Sequence, residues 1–187
     1  MVNIGTGLDT TFSRIDNGTI HWYNLDSPEV IEFRKKFIQD SERSCCLPLS
    51  VFDLSWFSKI KFNSEDGILF IATDVFYYFK ENEVKSLFCA MAEHFPNGKL
   101  VFDAESKSMV KASNRSVRKS GNKGAQMYFY VNKPDKIKKW SNKIEVDDVL
   151  PVFYTIPRDK KWKFSTRIFM MICDITKMMK CVVLQFK

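Results

Sequence analysis

The chain has 187 residues, 45% of them apolar, with 17 Phe and 4 Trp; that is enough to bury one core without metal or disulfide staples. This composition excludes a disordered chain, and no apolar run approaches the roughly 18 residues that span a bilayer. The formal charge of +7 is uneven: residues 1–93 hold 9 Lys/Arg against 14 Asp/Glu, and residues 94–187 hold 20 against 8.

In chain order, Val2–Ile4 reads as a short strand running into the glycine turn Gly5-Thr6-Gly7, and Thr19–Leu25 as a second strand ending at Asp26. A helix is predicted from Pro28, with Ser27 as N-cap, Glu29 in the first turn, and Val30, Phe33 and Phe37 at helical spacing. Leu47–Phe52 reads as a third strand ending at Asp53, and Gly67–Thr73 as a continuous apolar strand covered on both faces. Glu81–Phe95 carries Val84, Leu87, Phe88, Met91 and Phe95 on one helical stripe; Pro96-Asn97-Gly98 stops it before the strand Lys99–Asp103. Successive βα units of this kind imply a parallel, doubly wound sheet.

Beyond Ala104 the pattern loosens into a short helix and a Ser/Asn/Gly/Lys-rich loop within 105–124. Met127–Val131 is strand-like, Asp135–Trp140 a helical turn, and Ile144–Tyr154 contains another strand. A last helix near Ser165–Met179 places Ile168, Met171, Ile172, Ile175 and Met179 on one face, and Cys181–Phe186 closes as a strand. With no internal repeat or linker, residues 1–187 read as a single domain. Between Glu105 and Asp135 there is no acid, while Lys107, Lys111, Arg115, Arg118, Lys119, Lys123 and Lys133 fall there; the bland reading is a solvated basic segment, the sharper one an anion-attracting surface.

The opening MVNIGTGLDT lacks the basic region and apolar run of a signal peptide, so the five cysteines are expected to be reduced thiols in a cytoplasmic protein. With two histidines and no CxxC pair, no metal site is expected.

The glycines after the first strand let a backbone loop approach a nucleotide-like ligand. Alone that signal is weak. Position 10 is Thr where the dinucleotide fingerprint wants a third small residue, and Asp9 precedes it. A carboxylate there opposes a pyrophosphate but tolerates an ammonium and a sulfonium, which favours S-adenosylmethionine over a nicotinamide cofactor. Asp26, 21 residues after Gly5, is placed to accept both hydroxyls of a ribose, and Asp53 to take the amine of adenine.

VNIGTGLDTTFSRI, WYNLDSPEVIEFRKKF, SVFDLSW, ILFIATDVFYYF and FPNGKLVFDAES resemble the leucine carboxyl methyltransferases and polyketide-synthesis O-methyltransferases, from Val2 to about Ser106. The likeness returns more weakly at IKKW and KCVVLQF. It implies an α/β class I methyltransferase fold, Rossmann-like, with a mostly parallel seven-stranded sheet whose last strand is antiparallel. It implies S-adenosylmethionine at Gly5, Thr6, Gly7 and Asp9, its ribose on Asp26 and its adenine on Asp53 and Leu54. Arg14 matches the second arginine of the family's DTRxxR motif and is expected to brace the loop. The implied reaction is methyl transfer to a carboxyl or hydroxyl oxygen of a small molecule or a carboxyl terminus; no catalytic base follows from spacing.

Three departures accompany the likeness. Thr11 replaces the arginine that in the family meets the cofactor's carboxylate. Thr73, followed by Asp74, replaces the acid that would hold its ammonium; both are kept as candidate cofactor contacts, with Asp74 the candidate substitute for that acid although its side chain is expected on the opposite face if the strand continues. The resemblance begins inside the first strand, so the family's preceding helical region is expected to be missing, and bared apolar surface would favour a homodimer. These departures keep a non-catalytic remnant that binds a cofactor or partner as the alternative. A nucleic-acid methyltransferase fits less well, because ATDVFYY replaces the Asp/Asn-Pro-Pro-Tyr segment used on exocyclic amines and no Pro-Cys pair exists.

Overall fold

The computed structural model describes residues 1–121 and 123–187; Asn122 and the side chain of Lys123, both in the predicted basic loop, lie outside that description. Seven strands form one sheet: β1 (Val2–Ile4), β2 (Trp22–Asp26), β3 (Ser44–Pro48), β4 (Leu69–Ala72), β5 (Lys99–Glu105), β6 (Ile144–Pro151) and β7 (Met179–Phe186). Their spatial order is β3-β2-β1-β4-β5-β7-β6. β1 to β5 pair in parallel, and β7 lies antiparallel between β5 and β6. The helices are α1 (Thr11–Ile15), α2 (Pro28–Arg34), α3 (Glu81–His94), α4 (Lys107–Ser120) and α5 (Phe164–Thr176). This is the doubly wound, seven-stranded arrangement with an antiparallel last strand that the resemblance implies.

Alternation along the strands divides the sheet into two unlike faces. One face carries Val2, Ile4, Leu25, Phe70, Ala72, Leu100, Phe102, Leu184 and Phe186, all buried in one cluster with Val84, Leu87, Phe88 and Met91 of α3. Trp56 sits in that cluster with its ring against Phe57, Phe70 and Phe95. The other face begins with Asn3, whose register partners are Asn24 on β2 and Ile71 on β4. There Trp22 and Asn24 are buried, whereas Leu69, Ile71, Val101 and Val183 are only partly covered. The expectation that Gly67–Thr73 is covered on both faces therefore holds for one face alone.

Several predicted boundaries shift for physical reasons. β3 ends at Pro48, not at Asp53: Pro48 has no N–H for a ladder, and the chain turns, with Leu49 N donating to Leu47 O and Asp53 N to Ser50 O. Met127–Val131 forms no strand, although Phe129 and Val131 are buried and main-chain amides reach Tyr77 O and Glu105 O. The predicted short helix after Glu105 is a full 14 residues, α4, capped by Ser106 and ended by Gly121 at φ +76. Its buried side is Val110, while Lys107, Lys111, Arg115, Arg118 and Lys119 are all exposed.

Two predicted apolar stripes face the wrong way. On α2 the buried residues are Ile31 and Arg34, while Phe33 and Phe37 are exposed and pack ring to ring with each other. On α5 the buried residues are Met170 and Cys173, leaving Met171, Ile172 and Ile175 exposed. Among the described residues no helix is long and apolar enough to cross a membrane. All five cysteines are unpaired, and burial pushes the Cys46 thiol up to about 11, the thiol form.

Candidate functional site

The order of strands reverses direction at β1, which pairs with β2 on one side and β4 on the other. Open α/β sheets bind ligands at such a point, outside the carboxyl ends of the strands. Gly5 occupies it with φ +67, a conformation that side-chain-bearing residues avoid. A Cβ there would stand 2.4 Å from Val75 Cγ2, so two segments approach more closely than any other residue allows.

Two hollows meet at Gly5. The first, about 250 Å³, is lined by Ile4, Gly5, Leu25, Asp26, Ser27, Ser50, Val51, Val75 and Phe79. Its lining is mostly apolar, with Asp26, Ser27 and Ser50 as the polar residues. Asp26 Oδ2 accepts from Gly7 N at 2.9 Å and Oδ1 accepts from Ser27 N at 2.8 Å. A carboxylate offers about four lone-pair sites, so two hydroxyl donors can still be received. The second hollow, about 400 Å³, is lined by Asn3, Gly5, Thr6, Asp9, Thr11, Trp22, Ile71 and Thr73. Asp9 is the one charged group in that lining.

Beneath the loop lies a buried polar network that sequence reasoning missed. Asn3 Nδ2 donates to Thr6 Oγ1 at 3.1 Å and to Asp9 Oδ2 at 2.8 Å. Thr6 Oγ1 donates to Asn24 Oδ1 at 2.9 Å, which also accepts from Trp22 Nε1 at 3.0 Å. Arg34, 2% exposed, donates from Nη1 to Gly7 O at 3.0 Å and to Asp9 O at 2.7 Å, and from Nη2 to Asn24 Oδ1 at 3.4 Å. Asp9 Oδ1 in turn accepts from Thr11 N and Thr11 Oγ1. These bonds tie the loop to β1, β2 and α2.

The predicted residues are thus partly brought together. Gly5, Asp26, Thr6, Asp9 and Thr73 line one hollow or the other, and the Gly7 amide is bound to Asp26. Arg14 donates to the hydroxyls of Thr10 and Thr11, bracing the loop. Asp53 and Leu54 line neither hollow: both are exposed, and Asp53 caps the short 3-10 helix Leu54–Lys59, its Oδ1 accepting from Ser55 N. Hydrogen bonding from the Ser55 hydroxyl, and then from its N–H, holds the Asp53 carboxyl below its ordinary range. The hollow is lined instead by Ser50 and Val51, a few residues earlier on the same turn.

Asp74 also departs from its expected place. β4 ends at Ala72, so Asp74 is not carried to the opposite strand face; it sits at φ +58 and donates its N–H to Asp103 Oδ1 at 2.8 Å. Asp103 Oδ2 accepts from the Tyr77 hydroxyl at 3.2 Å. Burial raises the carboxyls of Asp103, Asp74 and Glu105 and the phenol of Tyr77, with the neighbouring acids adding to the rise at Asp74, Glu105 and Tyr77. The ends of β4 and β5 therefore form an acidic corner beside the hollows.

This sheet order, with the glycine turn after β1 and an acid at the end of β2, defines the class I S-adenosylmethionine-dependent methyltransferase fold. A SAM-dependent methyltransferase from Anabaena variabilis superposes with a TM-score of 0.66 at 10% identity, over 100% of this chain and 76% of that one. A putative methyltransferase from Thermobifida fusca gives a TM-score of 0.66 at 12% identity, over 100% and 72%. Residues 1–92, just under half of this chain, match the family described as Leucine carboxyl methyltransferase. The tetracenomycin polyketide synthesis O-methyltransferase TcmP of Streptomyces glaucescens is 26% identical over 105 residues, which are 56% of this chain and 38% of that protein. The chain thus spans well under two thirds of that curated relative.

Proposed function

We propose that this chain binds S-adenosylmethionine across Gly5 and transfers its methyl group to a carboxyl or hydroxyl oxygen. The observation that carries the reading is the pair of hollows joined at Gly5, one apolar with Asp26 at its rim and the other polar with Asp9 in its wall. The nucleoside fits the first hollow, with its ribose hydroxyls on Asp26 and its base against Val51, Val75 and Phe79. The amino-acid end fits the second, where Asp9 takes the ammonium in place of the acid that Thr73 replaces. Oxygen as acceptor is supported by the family match and by the relative's own reaction, O-methylation.

When bound, the sulfonium supplies an activated methyl group. What the chain contributes is placement: a loop pre-set by Arg34, Asn3 and Asp26 holds the donor in line with an acceptor oxygen, and proximity and orientation carry much of such a rate. A carboxylate acceptor needs no base. A hydroxyl acceptor must lose its proton.

Calorimetric titration of S-adenosylmethionine and S-adenosylhomocysteine into the folded chain tests the reading, with Asp26→Ala as the control. Micromolar binding that Asp26→Ala abolishes is expected, followed by methyl transfer from labelled donor to a panel of carboxylates and hydroxyls. No binding up to millimolar donor sinks the reading. Binding without transfer to any acceptor favours the alternative, a chain that holds the cofactor without turning it over, for which Thr11 and Thr73 speak.

A further inference from the structure

Helix α5 is apolar on two opposite sides. At 3.6 residues per turn, its buried residues Met170 and Cys173 fall on one side, and Phe164, Ile168, Met171, Ile172 and Ile175 on the other, within an arc of about 100°. Phe164 is 73% exposed and Ile175 74%; Met171 and Ile172 are exposed as well, and Ile168 is half-buried. The two charged residues of the helix, Arg167 and Asp174, lie outside that arc. Asp174 is already engaged, accepting from Arg158 Nη2 at 2.7 Å and from Phe153 N at 3.0 Å. A surface helix ordinarily turns charged and polar residues away from its buried stripe. Here the outward side is apolar too.

Positive charge stands at both ends of that side. Lys163 is the N-cap, preceded by Lys160, Lys161 and Trp162 in a turn closed by Trp162 N on Asp159 O. These four side chains are exposed, and among the described residues none of the three lysines pairs with a carboxylate. Lys177 is the C-cap, its Nζ donating to Val149 O at 3.1 Å.

We propose that α5 is an interfacial anchor, its outward side laid along a bilayer that contains anionic phospholipid. An apolar helix face bordered by lysines suits the boundary between headgroups and acyl chains, where each part of the surface meets its own chemistry. The acyl chains take Phe164, Met171 and Ile175, the anionic headgroups attract Lys160, Lys161 and Lys163, and Trp162 stands between them, where an amphipathic ring is favoured. At 13 residues the helix is too short to span a bilayer and lies in the surface instead. A second copy of α5 fits this face less well. Packed antiparallel, the lysines of each copy meet Lys177 of the other; packed parallel, the two lysine clusters meet each other. The inference draws on neither hollow at Gly5 and stands apart from the cofactor reading.

Vesicle flotation of the whole chain tests it, with vesicles of phosphatidylcholine alone and of phosphatidylcholine mixed with phosphatidylserine. The chain is expected to float with the mixed vesicles at least tenfold more strongly than with the neutral ones, and to release as salt is raised. Two surface variants separate the contributions: Phe164→Ser with Ile175→Ser, and Lys160→Gln with Lys161→Gln and Lys163→Gln. Each set is expected to lower binding to the mixed vesicles at least tenfold at an unchanged melting temperature. Phe33→Ser with Phe37→Ser, on the exposed side of α2, is expected to float as the wild type does. No flotation with the mixed vesicles overturns the proposal. So does flotation that survives the Phe164 and Ile175 changes, or that the α2 variant loses equally. A chain that stays off vesicles, is dimeric by light scattering and becomes monomeric on Ile175→Ser overturns it in favour of a second copy.

Discussion

The Asp26 carboxylate and the Gly7 amide stand 2.9 Å apart, tying the end of β2 to the glycine loop that follows β1. The second oxygen of the same carboxylate takes the Ser27 amide that leads into α2. One side chain therefore ties together two segments beside the hollow next to Gly5. Asp26→Asn keeps the shape but offers one acceptor oxygen for two main-chain donors, and turns an N–H toward the other. Loss of about 1–2 kcal/mol of stability is expected from the orphaned donor. S-adenosylhomocysteine affinity is expected to fall by roughly tenfold or more, since hydrogen bonds to a charged acceptor are worth about 1.5–3 kcal/mol. Urea denaturation and calorimetry read the two effects separately; unchanged affinity would remove Asp26 from the site.

Gly5 is constrained twice, by φ +67 and by Val75 2.4 Å from where a Cβ would be. Gly5→Ala is expected to cost about 2–3 kcal/mol, the sum of a disfavoured backbone region and overpacking. The two causes separate in a double variant. Val75→Ala in the same chain removes the clashing methyls and is expected to recover part of the loss, with the backbone share remaining. If Val75→Ala recovers nothing, the close approach of these segments is not what requires glycine.

Asp103 makes a pH-dependent contribution whose sign follows from its surroundings. Burial raises its carboxyl above the ordinary value, against weaker opposing effects from the bonds of Asp74 N and the Tyr77 hydroxyl. Below the ordinary carboxyl range both folded and unfolded chains hold the proton, and Asp103 costs nothing. As pH rises past that range the unfolded chain releases a proton that the folded chain keeps, so stability falls until the raised value is passed. Asp103→Asn removes the titration while still able to accept from Asp74 N and meet Tyr77. The melting temperature of Asp103→Asn relative to wild type is therefore expected to increase from pH 4 toward pH 7. A difference that stays flat or shrinks with pH contradicts the direction.

The parts of the site that were legible in sequence are those where chemistry and chain direction agree. An apolar run that stops at Asp26 before Ser27-Pro28 marks a strand end, and Gly5-x-Gly7 marks the turn after β1. The side expected to hold adenine was not legible in the same way. Leu47–Phe52 looks like a strand because it is apolar, yet Pro48 cannot continue a ladder, and the chain bends through residues 49–52, leaving Asp53 outside the hollow. Arg34 was hidden for the opposite reason. A charge in α2 reads as solvent-facing, and Phe33 and Phe37 read as core, but α2 covers the sheet face that begins with Asn3 and Asn24. A polar floor inverts the usual rule that apolar residues point inward.

Asn24 tests that floor directly. Its Oδ1 accepts from the Thr6 hydroxyl, Trp22 Nε1 and Arg34 Nη2, and its Nδ2 donates to Ser44 Oγ at 3.1 Å. All of these side chains are buried, with Thr6, Trp22, Asn24 and Arg34 each 2% exposed. Asn24→Ala leaves an indole N–H, a hydroxyl and a guanidinium N–H without their acceptor at once. Each buried orphan costs about 1–3 kcal/mol, and donors sharing one acceptor do not add fully, so a loss of about 2–4 kcal/mol is expected. Asn24→Asp keeps an oxygen facing those donors and places a negative charge beside Arg34, giving up the Ser44 bond in its donating sense. It is expected to be milder than Asn24→Ala. Urea denaturation at neutral pH decides the order of the two. Equal losses would mean that the amide's size, and not its acceptor oxygen, is what the loop rests on.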